Sequence, residues 1–156
     1  MDSKLYIHRA ENEVKLAEII FILSEEPNIQ VEIFHINEQE SDFSAVIAHS
    51  YYSIFYGAKA YLLHKGITVS TPEEHKKAFD AFKKFVDNGE LDVELLKIYQ
   101  EACMRADYLL GIFKNEKKKR GEFTYRIMPQ ANKEPAKESI NHAKTFFKNM
   151  FAILQK

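Results

Sequence analysis

SAVIAHSYYSIFYGAKAYLLHKG, residues 44–66, reads as one helix with more than one kind of face. At about 100° per residue, Phe43, Ile47, Tyr51, Ile54, Phe55, Ala58, Tyr61 and Leu62 share one broad side, the stripe that a helix presents to a core. His49, Tyr52, Tyr56 and Lys59 follow at spacings of three, four and three, and line a second side. Between the two runs a strip of small residues, Ser50, Ser53, Gly57 and Ala60, which lets a neighbouring backbone come close. A core helix needs only the first face. The other two predict close packing beside a polar pocket or a second subunit.

Helical signals extend to both sides of this stretch. Ile7, Ala10, Val14, Ala17 and Phe21 alternate by three and four, which predicts a first helix over 4–23, started by Asp2 or Ser3 and ended by Pro27. Residues 29–36, IQVEIFHI, alternate at first with period two and are rich in β-branched types, as a short strand is. A lone strand leaves its backbone groups unpaired, so residues 122–128, EFTYRIM, are the expected mate in a small two-stranded β-ribbon. Ser41 or Asp42 is the expected cap of the central helix, and Gly66 its C′ residue. Thr71-Pro72-Glu73-Glu74 combines an N-cap, a proline at the first helical position and a glutamate at the third. The helix it starts buries Ala78, Phe79, Phe82, Phe85 and Val86 and stops at Asn88-Gly89. Asp92 caps the next, with Leu95, Tyr99, Ala102, Ala106, Leu109 and Phe113 on one face. The last runs from Pro135 to Leu154, with Ala136, Ile140, Ala143, Phe147, Met150 and Leu154 in line.

The bulk numbers agree with a mainly α chain. Its 156 residues, 46% hydrophobic, fit one domain over 1–156 with a single core. Five glycines and four prolines are few for a strand-and-turn fold. With 22 basic and 23 acidic side chains, net charge names no partner, and a nucleic-acid binder has to rely on a local patch. Cys103 is the only cysteine, which excludes an intrachain disulfide and a cysteine-based zinc site. The histidines at 8, 35, 49, 64, 75 and 142 show no short His–His spacing and no HExxH, so neither a metal nor a cofactor is expected. Charged residues near the N-terminus argue against a signal peptide, and no window reaches the roughly eighteen apolar residues of a membrane span. A cytoplasmic protein is expected.

Three groups of residues carry candidate chemistry. Glu101 and Tyr108 flank Arg105 at i−4 and i+3, whereas Asp107 points about 160° away from it. A partner for Asp107 must come from another element, with Lys59, His49, His75 and Tyr52 as candidates. A bridge between helices explains that aspartate as well as a site does. The stripe of His49, Tyr52, Tyr56 and Lys59 suits a ligand pocket, with His49 as proton shuttle and the hydroxyls on phosphate or sugar. It equally suits a dimer seam, where tyrosine is enriched. Lys114, Lys117, Lys118, Lys119 and Arg120, followed by Phe123, Tyr125 and Arg126, read as an RNA-contacting patch or as a solvated loop.

The order of these features resembles the HEPN superfamily, in the branch with a helix of the type A-Y-Y-A-M-F-x-A-x-A-L-L-x-x-K-G-I. Residues 50–67, SYYSIFYGAKAYLLHKGI, follow that pattern closely. His75, the stretch 85–92 (FVDNGELD, similar to F-V-x-x-G-x-L-D) and Ala106-Asp107-Tyr108 (similar to A-D-Y) come in the same order. The resemblance covers roughly 43–154 and implies a four- to five-helix up-and-down bundle that dimerises with its functional cleft at the subunit junction. It implies a module that binds RNA or a nucleotide and works with a minimal nucleotidyltransferase antitoxin in a toxin–antitoxin or defence system. Tyr52, Tyr56, Lys59, Asp107 and Tyr108 are then the ligand-binding candidates, with Arg105 beside them. Catalytic relatives cleave RNA with an arginine followed four to six residues later by a histidine. None of Arg9, Arg105, Arg120 or Arg126 has one there, and Cys103 stands where an arginine usually precedes the aspartate. Both departures count against nuclease activity. The alternative is a metal-independent endoribonuclease with a rearranged site, in which His49 or His75 serves as acid or base and Arg105 stabilises phosphate charge.

Overall fold

The computed structural model describes residues 2–35, 42–110 and 133–156, apart from the side chains of Tyr108 and Leu110. Every regular element among them is helical: α1 (Ser3–Glu25), α2 (Pro27–Phe34), α3 (Phe43–His64), α4 (Glu74–Asp87), α5 (Val93–Leu110) and α6 (Lys133–Leu154). None is long and apolar enough to cross a membrane.

Local chemistry sets most of the ends. Asp2 Oδ1 accepts from Lys4 N–H at 3.2 Å and opens α1, which buries Ile7, Ala10, Val14 and Ala17. Asp92 Oδ1 does the same for Glu94 N–H at 2.8 Å and opens α5. Gly66, at φ 79, closes α3: its N–H donates to Leu63 C=O and that of Ile67 to Leu62 C=O, which satisfies two terminal carbonyls. Gly89, at φ 85, closes α4 in the same way.

Two expectations fail. Of the expected strand 29–36, the described residues 29–35 are not a strand, because Pro27 is the first residue of α2 rather than only the end of α1. A helix satisfies its backbone groups within the segment and so needs no mate. The alternating residues gain no inner face by it, since Val31 and Ile33 are exposed at 52% and 63%, and it is Gln30 that is buried, donating to Leu23 C=O. The other half of the expected ribbon, 122–128, lies outside the described residues, as do Ser41 and the basic cluster 114–120. The capping box at Thr71 also fails: α4 starts at Glu74, behind Glu73 at φ 60. The carboxylate expected to reach back to the cap is taken by Lys59 instead.

α3 is the central helix and packs against α1, α4, α5 and α6. Its apolar face is buried as expected, from Ile47 through Tyr51, Ile54, Phe55 and Ala58 to Leu62. The small strip is used within the chain. Ser53 Oγ donates to Ala10 C=O at 2.7 Å, and a Cβ on Gly57 would stand 3.4 Å from the Phe146 ring. α1 and α6 therefore come close to α3 because those positions carry almost no side chain. Phe82, Tyr99 and Phe146 meet at ring-centroid distances of 5.4–5.8 Å and join α4, α5 and α6 beneath it.

Candidate functional site

His49, Tyr52, Tyr56 and Lys59 run along one side of α3, between two neighbouring elements. One is α1, reached through Tyr6, Arg9 and Glu13, and the other is the start of α4, reached through Glu74 and His75. Tyr6 stacks on Tyr56 at 6.1 Å and 19°, and Tyr52 stacks on the same ring at 6.1 Å and 26°. The guanidinium of Arg9 lies 5.6 Å from the Tyr56 centroid, and Lys59 Nζ lies 4.5 Å from that of Tyr6. Three tyrosines and two cations thus form one ladder, with Arg9 exposed at its edge.

Lys59, His49 and His75 each hold a polar partner. Lys59, only 7% exposed, pairs with Glu74. Burial works against its ammonium, but Glu74 and the Tyr6 hydroxyl together outweigh this, and its pKa is raised. His49 Nδ1 lies 2.6 Å from Glu13 Oε2. His75 Nδ1 lies 2.7 Å from the Tyr51 hydroxyl, and its ring stacks on Phe55 at 4.2 Å. Burial lowers the His75 pKa, with Lys59 adding to the effect and Glu74 opposing it. The Tyr51 hydroxyl is pushed far up by burial, and by the neighbouring Tyr99, Cys103, Tyr52 and Asp107. Tyr51 therefore stays a neutral phenol.

The remaining candidates divide differently from the sequence grouping. Asp107 is half-buried on α5, where its charge acts on Tyr51 and Cys103. Cys103 is raised first by burial and then by that aspartate, so it is an inert thiol. Lys59, His49 and His75, all considered as partners for Asp107, hold Glu74, Glu13 and Tyr51. Arg105 turns to α6, donating to Glu138 Oε2 at 2.6 Å and to Ser139 Oγ at 3.1 Å. Arg105, His49 and His75 thus engage three different partners, while Tyr52, Tyr56, Lys59, His49 and His75 lie along the same side of α3. Tyr108 contributes to α5, and its side chain is outside the described set.

Sequence reading missed the α1 side. Tyr6, Arg9 and Glu13 are spaced by three and four and run one position before the apolar stripe of Ile7, Ala10 and Val14. That second stripe was the available signal.

The HEPN domain family matches residues 31–151, from α2 to α6. The Methanocaldococcus jannaschii protein named "Putative toxin MJ0142" is 40% identical over 76 residues, which is 46% of this chain and 48% of that protein. The chain therefore spans about half the length of this curated relative. No solved structure matches significantly. A match over most of the chain, on a bundle whose central helix carries the family pattern, places this protein in the HEPN family.

Proposed function

We propose that this HEPN module binds RNA or a nucleotide in a groove between α1, α3 and the start of α4. The observation that carries the reading is the ladder of Tyr6, Tyr56 and Tyr52 with Arg9 on the Tyr56 ring. A base is a flat π-surface, and stacking on an aromatic side chain contributes about 1–3 kcal/mol per base whatever its sequence. A guanidinium at the edge of the ladder suits the phosphate that accompanies the base. The resemblance and the toxin-named relative support the wider reading. In it the module acts in the cytoplasm as a homodimer, beside a minimal nucleotidyltransferase antitoxin, in a toxin–antitoxin or defence system. Asp107 and Tyr108 of α5 belong to the proposed ligand set, and Lys114, Lys117, Lys118, Lys119 and Arg120 are the proposed contacts to the RNA backbone.

The test is fluorescence anisotropy with a labelled single-stranded RNA, with mononucleotides as competitors, over a range of salt. Binding that weakens with salt, and falls about tenfold or more in Tyr56→Ala and Arg9→Ala, is the expected result. Equal binding by wild type and both variants sinks it.

One observation favours the second reading, metal-independent RNA cleavage. Burial lowers the His75 pKa and so favours the neutral imidazole, the form that a general base requires. Incubation with total RNA in EDTA decides: cleavage that Arg105→Ala and His75→Ala or His49→Ala both abolish establishes the nuclease.

A further inference from the structure

A separate cluster joins α5 to α6 away from the tyrosine ladder. Glu101 on α5 and Glu138 and His142 on α6 converge so that one ring nitrogen and one oxygen from each carboxylate lie within 4.8 Å of one another. His142 Nδ1 is 3.5 Å from Glu101 Oε2, and its Nε2 is 3.8 Å from Glu138 Oε1. Both separations exceed the ~2.7–3.2 Å of a direct hydrogen bond. An imidazole offers a single nitrogen to an ion, so only one of the two is an edge of the site; the Nδ1–Oε2 separation is near the ~3.4 Å edge of a tetrahedron whose ligand atoms stand ~2.1 Å from a central ion. Glu138 and His142 are four residues apart on one helix face, the spacing that lets a single helix offer two ligands.

The surroundings hold these groups in place. Arg105 grips the far oxygen of Glu138 and also donates to Ser139 Oγ, which donates in turn to Pro135 C=O. The near oxygen, Oε1, is left facing His142, and a ligating carboxylate is usually oriented by an outer hydrogen bond of this kind. His142 is half-buried at the rim of a small cleft that it lines with Arg105, Ser139 and Tyr51. Arg105 offsets part of the Glu138 charge, and a cation between the two carboxylates would offset the rest.

We propose that Glu101, Glu138 and His142 bind one divalent transition ion that clamps α5 to α6. One imidazole and two carboxylates fall within zinc's ligand range, with a fourth position left to water or an incoming ligand. Sequence spacing shows only the Glu138–His142 half, because the third ligand comes from another helix.

The experiment uses chelator-stripped full-length protein, titrated with Zn²⁺ by calorimetry and with Co²⁺ by visible absorption, with thermal melts in parallel. One ion per chain is expected, with a Co²⁺ ligand-field band and a higher melting temperature in the presence of Zn²⁺. His142→Ala and Glu101→Gln each weaken binding tenfold or more and lose the thermal shift. Lys144→Ala, on the same helix but paired with Glu18 of α1, keeps both. Because Glu101→Gln alters α5 and His142→Ala alters α6, folding of either variant keeps the test decisive. Absence of saturable binding, or binding that survives both substitutions, overturns the proposal.

Discussion

The two sides of α3 are built by different chemistry. Toward α6, Gly57 lies against Phe146 and Met150, both fully buried, and the contact is dry and tight. Toward α1 and α4, Tyr52, Tyr56 and Lys59 face other rings and charges, and only Lys59 is buried. One helix thus devotes one side to tight apolar packing and the other to stacked rings and an ion pair, with Tyr52 and Tyr56 partly exposed. Ring area is present on both, but polar atoms at the rim are kept only on the second.

This division ranks the effects of substitution. Phe146→Ala empties the packed side and is expected to cost about 3–5 kcal/mol in urea denaturation while leaving the ladder intact. Lys59→Met leaves Glu74 without its cation and costs about 2 kcal/mol. In a double-mutant cycle, adding Glu74→Gln recovers part of that loss; no recovery means that the pair is not coupled.

Acid acts on the polar side through His75. Its folded pKa is lowered, so between that value and the ordinary ~6.5 the unfolded chain binds more protons than the folded one. The stability gained by keeping it neutral is complete above ~6.5 and is lost as pH falls through the folded pKa. Urea melts from about pH 7.5 to about pH 5 are expected to show a loss that His75→Gln reduces. The smallest effect is on the packed side. Tyr99 is fully buried, and its hydroxyl has no hydrogen-bond partner among the described residues. Tyr99→Phe therefore changes stability by at most ~0.5 kcal/mol, or raises it.

What was legible in the sequence was what neighbours along the chain decide. The Ile7-Ala10-Val14-Ala17 stripe, the Asp92 cap and Gly66 depend on residues a few positions apart, and all three are as expected. The stripe of Tyr52, Tyr56 and Lys59 was visible for the same reason. α2 was not, because a short apolar run is ambiguous between strand and helix, and Pro27 marks a start as well as a stop. The Thr71 box failed because Glu74 is claimed by Lys59, fifteen residues away in sequence and on another helix. Arg105 was placed beside Glu101 by helical arithmetic, yet its strong partner, Glu138, comes from α6. Groups that meet across helices leave no spacing to read.

The most direct test of the groove as a binding surface uses single-stranded RNA carrying 2-aminopurine, whose fluorescence is quenched when the base stacks on tyrosine. Quenching by the wild-type protein that is lost in Tyr56→Leu, with helicity and melting temperature unchanged, is the predicted result. Quenching of equal depth in the variant would contradict the account.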